Sequence, residues 1–441
     1  MEGDARKELR EIFDAGVAAV APDAALLAHM KLSNGALEAG GKVFPLTNRK
    51  IYVCGAGKGA APMAAALENL IGALVAKGVI VVKYGHQLPL NKFEIFEASH
   101  PVPDEAGEKG AAACLETAKE TGPEDLLICL FTGGASALLP LPYKGLNLDD
   151  LKKASDLLLA SGATINEMNA VRKHLSAISG GRLAATAKGE VLSVIVSDVV
   201  GDDLSTIASG PTAPDPSTFA DCLYILEKYR LTSKFPPDAL KILRTGADGK
   251  IPETPKPGSE ALERTTNIIV ASNALAVKAA AERAERLGYR PSVMNEPMTG
   301  EAKEVAARLV EIAKEEKKSL KSGDKGICIL AGGETTVRIM GDGRGGRNQE
   351  MALAAAIDLD GSGGVAGLFA GTDGTDGPTD AAGGFAFPDT VGRIGSKIDA
   401  LKYLANNDSN PALAKAGDLL VTGPTRTNVM DLAIILIQPR A

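Results

Sequence analysis

Short apolar runs alternate along the first half of the chain with longer alanine-rich stretches. The runs lie within residues 49–57, 78–85, 93–99, 125–134 and 191–199. Strands that are apolar at nearly every position are buried on both faces, as in a parallel sheet. The alanine-rich stretches between them fit the helices of βαβ units. The pattern therefore predicts an α/β fold whose first half is a Rossmann-like domain with a parallel sheet.

A segment rich in proline, glycine and charge interrupts this pattern at residues 236–264 and predicts a linker. The pattern of strands and helices then restarts, and the strings RIM (338–340) and AIILI (433–437) suggest antiparallel returns. The second half is therefore predicted to hold a mixed sheet. Because 441 residues are long for one α/β domain, we expect an N-terminal domain over 1–258 and a C-terminal domain over 259–441.

Composition argues against several classes of function. The formal net charge of -7 does not favour long-range attraction to nucleic acid or to an anionic membrane. The first residues carry mixed charge with no apolar signal region, and no run approaches the ~18 apolar residues of a membrane helix. The five scattered cysteines favour reduced core thiols over a zinc site or disulfides. We expect a cytoplasmic protein, monomeric or homodimeric, without nucleic-acid or membrane partners.

Loops rich in glycine or aspartate follow several predicted strands, at residues 55–59, 132–136, 197–203, 332–336, 371–380 and 422–428. In open α/β sheets, ligands bind at the carboxyl ends of the strands. Glycine lets backbone N–H groups approach an anion, and a following helix adds its positive end. The set suggests a polyanion shared between two domains. Candidate phosphate- or substrate-binding residues in the second and last loops are Gly133, Gly134, Ser136, Thr422 and Thr425.

The first of these loops supports two interpretations. Gly55, Gly57 and Ala60 fit the G-x-G-x-x-G/A spacing of a dinucleotide site, but Lys58 stands in its middle. A dinucleotide fold also needs an acidic residue at the end of the next strand, and KYGHQ (83–87) has none. The Walker A spacing is not met either. There remains an ammonium group beside a helix N-terminus, suited to a transferred phosphate or a carboxylate, or else a tight turn with a solvated lysine.

A second candidate is the string GDGRGGRNQE (341–350). Its glycines, Gly345 and Gly346 among them, leave little but backbone before Arg347, and a helix is predicted to follow. The planar fork of an arginine there can clamp a phosphate or a carboxylate. A mobile surface turn is the alternative, but the alanine-rich helix that follows directly must be packed.

Aspartates follow two of the apolar strands. Mg²⁺ is usually held by one or two carboxylates together with substrate phosphates and water. Asp198 and Asp373 lie nearest the ends of their strands and form the preferred pair. Aspartate is also common in turns and helix caps, so each of them alone has a structural explanation. The two loops together predict a Mg–nucleotide site.

The string GATINEMNAVRKH predicts a helix with donor-bearing residues at spacings of three to four, namely Asn166, Asn169, Arg172 and Lys173. If they converge on one side, they can bind a small hydroxy acid. His174 beside them and His100 in SHPVPDEAG are candidate bases, although a lone histidine is more often a structural hydrogen-bond donor.

Long and unusual strings run through nearly the whole chain, among them GAGKG, SHPVPDEAG, NAVRKHLSAISGGRLA, SDVVGDDLSTIASGPTAPDPSTF, GGETTV, GRGGRNQE, AGTDGTDGPTDAAG and TGPTRTNVMDL. In these strings the chain resembles the glycerate 2-kinases whose C-terminal part is called the MOFRL domain, some members of which carry the name hydroxypyruvate reductase. The chain differs from the usual family strings at TGGASAL and at TGPTRTN, where Arg426 replaces a glycine and bears on nucleotide choice.

The resemblance implies two three-layer α/β/α domains with the active site in the interdomain cleft, and a MOFRL region at about 326–437. It implies an enzyme that uses ATP and Mg²⁺ to phosphorylate D-glycerate at its 2-hydroxyl. It also implies that Lys58 and, by its motif, Arg347 are the key catalytic residues.

Two other classes of function compete with a kinase. An NAD(P)H-dependent hydroxypyruvate reductase would explain the glycine spacing, but neither the missing ribose-binding acid nor the aspartate loops. A nucleotide- or anion-binding sensor would use the same loops without turnover. We rank the kinase above the reductase and the reductase above the sensor.

Overall fold

The computed structural model describes residues 2–439, which divide into two compact units. The first unit is Pro22–Val270, and the second unit combines residues 2–21 with residues 271–439. The strands are β1 (Met30–Ser33), β2 (Ala36–Ala39), β3 (Lys42–Pro45), β4 (Ile51–Ala56), β5 (Val75–Lys83), β6 (Phe93–Ala98), β7 (Leu126–Phe131), β8 (Glu190–Val196), β9 (Thr265–Ala271), β10 (Arg290–Val293), β11 (Ile327–Gly333), β12 (Val365–Gly371), β13 (Gly383–Ala386), β14 (Leu419–Leu420) and β15 (Asp431–Ile437). The helices are α1 (Glu2–Ala19), α2 (Pro22–His29), α3 (Ala60–Ile71), α4 (Glu105–Lys119), α5 (Ala135–Leu138), α6 (Leu148–Ala160), α7 (Ile165–His174), α8 (Arg182–Thr186), α9 (Phe219–Lys228), α10 (Pro237–Ala247), α11 (Asn273–Arg286), α12 (Ala302–Ser319), α13 (Arg347–Leu359), α14 (Thr390–Ile394), α15 (Lys397–Ala405) and α16 (Ser409–Ala416).

The main sheet of the unit Pro22–Val270 has the strand order β6-β5-β4-β7-β8-β9. Strand β4 pairs in parallel with β5 and β7, and the pairs β5–β6 and β7–β8 are parallel as well. The predicted Rossmann-like parallel sheet is thus confirmed, and each predicted apolar run forms one of its strands. The strand order reverses between β4 and β7, so the loops after these two strands lie at the topological switch point, where such sheets bind ligands.

The sheet of the other unit has the order β10-β11-β15-β12-β13-β14. Strand β15 runs antiparallel to both β11 and β12, while β10 is parallel to β11, so the predicted mixed sheet is confirmed. The string RIM, however, forms no strand, and Ile339 and Met340 are largely exposed. The side-chain oxygen of Asn407 accepts hydrogen bonds from the backbone N–H groups of Met340 and Gly341, and these bonds hold the segment as a loop.

The predicted linker at 236–264 is wrong over α10, which occupies Pro237–Ala247. A proline in the first turn of a helix costs no hydrogen bond, because that N–H has no partner within the helix. Ala239 and Leu243 are fully buried in a cluster with Phe219 of α9. The small antiparallel sheet β1-β2-β3 was not predicted, because strands of four residues are too short to show a clear alternation.

The compact units differ from the predicted domains at both ends of the first one. Their boundary lies at Val270 rather than at residue 258, and residues 2–21 belong with the second unit. The reason is α1, which packs against α11 through a buried apolar face that includes Leu9, Ile12 and Phe13. Among the described residues no single helix combines the length and apolar character to cross a bilayer; Asp4–Ala19 and Pro22–His29 meet both criteria only as a bent pair, by length and composition alone.

All five cysteines are buried and free, as their apolar surroundings predict. The Sγ atoms of Cys54 and Cys129 lie 3.6 Å apart on the neighbouring strands β4 and β7. Burial raises the pKa of the Cys222 thiol and raises that of Cys328 to about 12. The thiols of Cys222 and Cys328 are therefore core groups that stay protonated near neutral pH.

We expect Leu9→Ala to lower the free energy of unfolding of the second unit by about 3 kcal/mol, because it leaves a cavity under α1. Lys7→Ala, on the solvent side of the same helix, is the control and should change it by less than about 0.5 kcal/mol. Urea unfolding followed by circular dichroism measures both. Equal stability of Leu9→Ala and the wild type would contradict the assignment of α1 to this unit.

Candidate active site

Lys58 is placed by contacts between the loops that follow β4 and β7. Its backbone N–H donates to the carbonyl of Gly133 (3.0 Å), and the N–H of Gly59 donates to Oγ1 of Thr132 (2.9 Å). Gly57 has a φ of +135°, and a Cβ atom on it would lie 2.0 Å from that same Oγ1. Gly57 is therefore required for the close approach of the two loops, and Lys58 follows it at the start of α3.

Two other glycines that were predicted to bind a ligand, Gly55 and Gly134, also allow close packing of the chain. A Cβ atom on Gly55 would lie 2.3 Å from the carbonyl oxygen of Leu130 on β7. Gly134 adopts a φ of +90°, and a Cβ atom on it would lie 3.0 Å from the His100 ring and 3.6 Å from Cγ of Lys58. The structure thus brings Lys58, His100 and the loop after β7 together.

His100 is the clearest electrostatic feature of this site. Its ring is half-buried, and burial, followed by the charges of Lys58 and Lys83, lowers its pKa from 6.5 to about 4. His86 supports the same loop, because its Nδ1 lies 3.1 Å from the carbonyl oxygen of Lys58. Near neutral pH, His100 is therefore an uncharged imidazole beside an ammonium group.

Ser136 extends this site toward the 3₁₀ turn Ile207–Ser209. The hydroxyl of Ser209 lies 3.0 Å from that of Ser136. Ala208 and Ser209 have φ values of 54° and 60°, in a left-handed region that costs free energy for residues other than glycine and is often found at functional sites. Sequence reasoning did not single out Ser209; its only signal was its place in the string IASGPTAPDP.

The loop after β8 holds Asp198, one of the two aspartates predicted to bind metal, together with Asp203. Burial alone would raise the pKa of Asp203, but hydrogen bonds from Ser205 and Thr206 lower it, and so this carboxylate ties its own turn together. Asp198 is half-buried two residues after the end of β8. Among residues 2–439 no three histidine, cysteine or acidic side chains gather into a metal site. Any Mg²⁺ would therefore need ligands from a substrate or from water.

The polar residues of α7 separate rather than converge. Asn166 is exposed, whereas Asn169 and Lys173 are buried, and Lys173 pairs with the fully buried Asp215 (3.4 Å). Arg172 is half-buried, and its Nε donates to the hydroxyl of Ser155 (3.2 Å). The helical spacing was correct, but contacts with other parts of the chain decide which of these groups can meet a ligand.

His174, the other candidate base, is fully buried inside the same unit. Its Nδ1 lies 2.7 Å from the carbonyl oxygen of Ala170, and its Nε2 lies 3.0 Å from a carboxylate oxygen of Glu253. Its ring packs edge-on against Phe219. These contacts assign it a structural role.

Arg347 of the second unit is held by acidic side chains. Its Nε and Nη2 donate to the two carboxylate oxygens of the fully buried Asp431, at 2.6 and 2.9 Å, and Nη2 also lies 3.3 Å from Glu334. Burial alone would lower the pKa of Arg347, but the hydrogen bonds that it donates to Asp431 and the nearby acidic charges raise it. Arg347 is thus permanently charged and fixed in orientation, with a third of its side chain exposed.

The glycines before Arg347 are explained by packing of the chain on itself. A Cβ atom on Gly345 would lie 2.2 Å from the hydroxyl oxygen of Ser409, and one on Gly346 would lie 2.3 Å from Cγ of Asp376. The Asp376 carboxylate accepts hydrogen bonds from the backbone N–H groups of residues 348 and 349, so it caps the N-terminus of α13. The anion at this helix end is therefore a side chain of the protein.

The loops 371–380 and 422–428 support each other. The hydroxyl of Thr425 donates to the carbonyl of Thr372 (2.6 Å), and Oδ1 of Asp373 accepts hydrogen bonds from the N–H and hydroxyl of Thr375. The hydroxyl of Thr422 contacts the neighbouring carbonyl of residue 423. Arg426 has a φ of 63°, a conformation that glycine adopts without cost. This accounts physically for the glycine usual at that position in the family strings.

Comparisons with known proteins extend over the whole chain. Residues 8–244 match a family described as a domain of unknown function, DUF4147, and residues 327–431 match the MOFRL family. A glycerate 2-kinase of Pyrococcus horikoshii is 41% identical over 96% of this chain and 94% of its own length. A protein of Agrobacterium vitis that carries a provisional hydroxypyruvate reductase name is 41% identical over 98% of this chain and 94% of its own.

A solved structure points to the same relationship. The crystal structure of a glycerate kinase from Thermotoga maritima matches with a TM-score of 0.87 and 38% sequence identity, and the match covers 99% of this chain and 100% of that one. Similarity at this level spans both compact units and both family matches. The chain therefore belongs to the glycerate 2-kinase family that carries a C-terminal MOFRL domain.

Proposed function

We propose that this protein is an ATP-dependent kinase that phosphorylates D-glycerate at the 2-hydroxyl, giving 2-phosphoglycerate and ADP. The observation that carries the proposal is the near full-length similarity to a glycerate 2-kinase. The Lys58 loop at the switch point of the parallel sheet supports it, because phosphoryl transfer requires positioning and positive charge more than covalent chemistry.

A hydroxypyruvate reductase is the second candidate, since a relative of equal identity carries that name. Residues after β5 disfavour it. Lys83 ends that strand where a dinucleotide fold has the acid that holds the ribose hydroxyls. Glu97, on the neighbouring β6, accepts a hydrogen bond from the backbone N–H of Gly85 and so fixes the turn after β5. The kinase is therefore preferred.

In the proposed reaction, Lys58 neutralises negative charge on the transferred phosphoryl group, close to the N-terminus of α3. His100, uncharged near neutral pH, is proposed to accept a hydrogen bond from the attacking hydroxyl. Gly133 and Gly134 form the wall next to them, and Gly55 and Gly57 allow that wall to come close.

Arg347 is proposed to bind a carboxylate or phosphate of the substrates. Its bidentate pair with Asp431 fixes the guanidinium plane before any ligand arrives, which lowers the entropic cost of binding. The loops that carry Gly345, Gly346, Thr422 and Thr425 are proposed to support substrate binding through their backbone, since their side chains and close contacts are already used within the chain.

Mg²⁺ is proposed as the metal cofactor, with Asp198 or Asp373 as its protein ligand. The donor set fits, because Mg²⁺ with nucleotides usually takes only one or two carboxylates from the protein. When bound, the ion would neutralise charge on the phosphates. The proposed partners are small molecules alone, in a cytoplasmic monomer or homodimer, in keeping with the net charge of -7.

³¹P NMR of the purified protein with ATP, Mg²⁺ and D-glycerate tests this function, beside a second sample with NADH and hydroxypyruvate. We expect a growing 2-phosphoglycerate resonance in the first sample and no NADH consumption in the second. A 3-phosphoglycerate resonance would support kinase activity but contradict phosphorylation at the 2-hydroxyl. NADH consumption without phosphate transfer would establish the reductase instead.

We expect Lys58→Ala to lower kcat/KM for phosphoryl transfer at least about 100-fold, because a charge that acts on the transition state is lost. A coupled assay for ADP release measures this. Lys92→Ala, at an exposed lysine after β5, is the control and should keep the wild-type rate. A Lys58→Ala enzyme with a near-normal rate would remove Lys58 from the site.

We expect Arg347→Lys to lower kcat/KM about 100-fold as well, because lysine keeps the charge but cannot form the bidentate pair with Asp431. The matched control is Arg290→Lys at an exposed arginine of the same unit. Thermal unfolding of both variants separates lost activity from lost stability. Full activity of Arg347→Lys would show that charge alone is needed there.

The lowered pKa of His100 predicts a pH dependence of stability. Between about pH 6.5 and pH 4 the unfolded chain binds a proton at this position that the folded protein does not, so stability falls as the pH falls. We expect His100→Gln to lose less stability than the wild type between pH 7 and pH 5 in urea unfolding. The effect is moderated by solvent, because the ring is only half-buried. His29→Gln, at an exposed histidine, should follow the wild type; equal losses in all three proteins would contradict the burial of a neutral His100.

A further inference from the structure

A cavity of about 460 Å³ lies within the unit Pro22–Val270, next to the loop after β7. Its walls are mostly apolar and come from the segment 101–103, the segment 139–141 after α5, and the facing sides of α6 and α7. Leu158 of α6 and Val171 of α7 line the cavity, and both are fully buried. Its volume and apolar lining are those of a small-molecule binding site.

Serine hydroxyls form part of the polar lining of this cavity, which also includes Lys152, Asp156 and Arg172. Ser136 and Ser209 lie 3.0 Å apart, as do the hydroxyls of Ser176 and Ser179. The two pairs are adjacent, because the N–H of Gly180 donates to the carbonyl of Ser209. A ligand in the cavity would thus meet hydroxyl groups that can donate or accept hydrogen bonds.

The cavity adjoins the proposed phosphate site directly. Pro101 lines it and follows His100 in the chain, while Ser136 lines it two residues after Gly134. Gly134 in turn lies beside both His100 and Lys58, because a Cβ atom on it would lie 3.0 Å from the His100 ring and 3.6 Å from Cγ of Lys58. A molecule bound with an anionic group at Lys58 would therefore have this apolar space beside it, within the same unit.

The wall formed by α6 and α7 carries Arg172. Its Nε is hydrogen-bonded to Ser155, which also lines the cavity. Burial lowers the pKa of Arg172, and the neighbouring Asp156 acts in the opposite direction. A planar, poorly solvated guanidinium at an apolar wall is suited to stack on a flat aromatic ring.

D-Glycerate does not fit this lining. A three-carbon hydroxy acid has little apolar surface to bury, and placing it against the leucines and prolines that make up most of the wall would cost hydration of its carboxylate. A purine nucleoside has the opposite character, with a flat aromatic base and a ribose rich in hydroxyls. ATP combines such a nucleoside with the polyanion that suits Lys58.

We propose that this cavity binds the adenine and ribose of ATP, with Arg172 against the base and the serine hydroxyls near the ribose. The proposal rests on the proposed kinase function, which supplies the nucleotide. It adds a location and a set of residues for nucleotide specificity, all within Pro22–Val270.

Two variants test it in the full-length protein. Ser155→Phe places an aromatic ring in the cavity from a half-buried position on α6, and Arg172→Met keeps the apolar stem but removes the guanidinium. Ala160→Phe, at an exposed position on the same helix outside the cavity, is the matched control. Calorimetry measures the dissociation constants of ADP, inorganic tripolyphosphate and D-glycerate for each protein, and thermal unfolding establishes that each is folded.

We expect Ser155→Phe to raise the dissociation constant of ADP at least about tenfold, while tripolyphosphate and D-glycerate bind as in the wild type. Arg172→Met should weaken ADP in the same selective way, and Ala160→Phe should change nothing. Weaker binding of D-glycerate with unchanged binding of ADP would overturn the proposal and assign the cavity to the acceptor substrate. Unchanged binding of all three ligands in folded Ser155→Phe would overturn it as well.

The wild-type kinase assay separates this proposal from the proposed function. If the wild type phosphorylates D-glycerate but Ser155→Phe binds ADP normally, the kinase stands and the nucleoside site lies elsewhere. If the wild type forms no phosphoglycerate but its ADP binding is lost selectively in Ser155→Phe, the nucleoside site stands and the kinase assignment fails.

Discussion

The hydroxyl of Thr132 is the point on which the candidate site depends. It accepts the hydrogen bond of Gly59 and lies so close to Gly57 that no side chain fits there. Through this contact the ends of β4 and β7 come together at the switch point, which places Lys58 over the loop after β7. That loop then continues into Gly134, where a Cβ atom would lie 3.0 Å from the His100 ring, and into Ser136, which lines the cavity. Lysine, imidazole and cavity thus derive their positions from one close approach between two strand ends.

The second unit follows a different rule, in which buried carboxylates of the chain organise its cationic groups. Asp431 is fully buried and fixes the fork of Arg347, while Asp376 caps the helix that Arg347 begins. Buried acids of this kind are tolerated because every one of them receives several donors. The consequence is an arginine whose direction is fixed by the fold, so that a ligand does not have to order a flexible side chain. The same arrangement means that backbone N–H groups at the N-terminus of α13 already have a hydrogen-bond acceptor before a substrate binds.

Much of the fold could be predicted from the sequence, because strands buried on both faces leave continuous apolar runs. The position of the ligand loops followed from the same pattern, since parallel strands place their carboxyl ends on one edge. What could not be predicted depends on contacts between distant parts of the chain. Lys173 was predicted to bind a ligand, but it is paired with the buried Asp215. His100 was only an uncertain candidate base, and its burial beside Lys58 makes it an uncharged imidazole near neutral pH. The segment 236–264 misled because its composition is typical of a linker, although proline at a helix start is harmless.

The five cysteines have a practical consequence. Alkylating reagents react with exposed thiolates and cannot reach thiols that are buried in the core, so modification of this protein must wait until its interior opens. Cys328 lies on β11, while Cys54, Cys114, Cys129 and Cys222 lie within Pro22–Val270. The time course of alkylation, resolved by peptide, therefore reads the opening equilibrium of each unit separately. The native sequence carries its own set of conformational reporters, distributed over both units and requiring no engineered label.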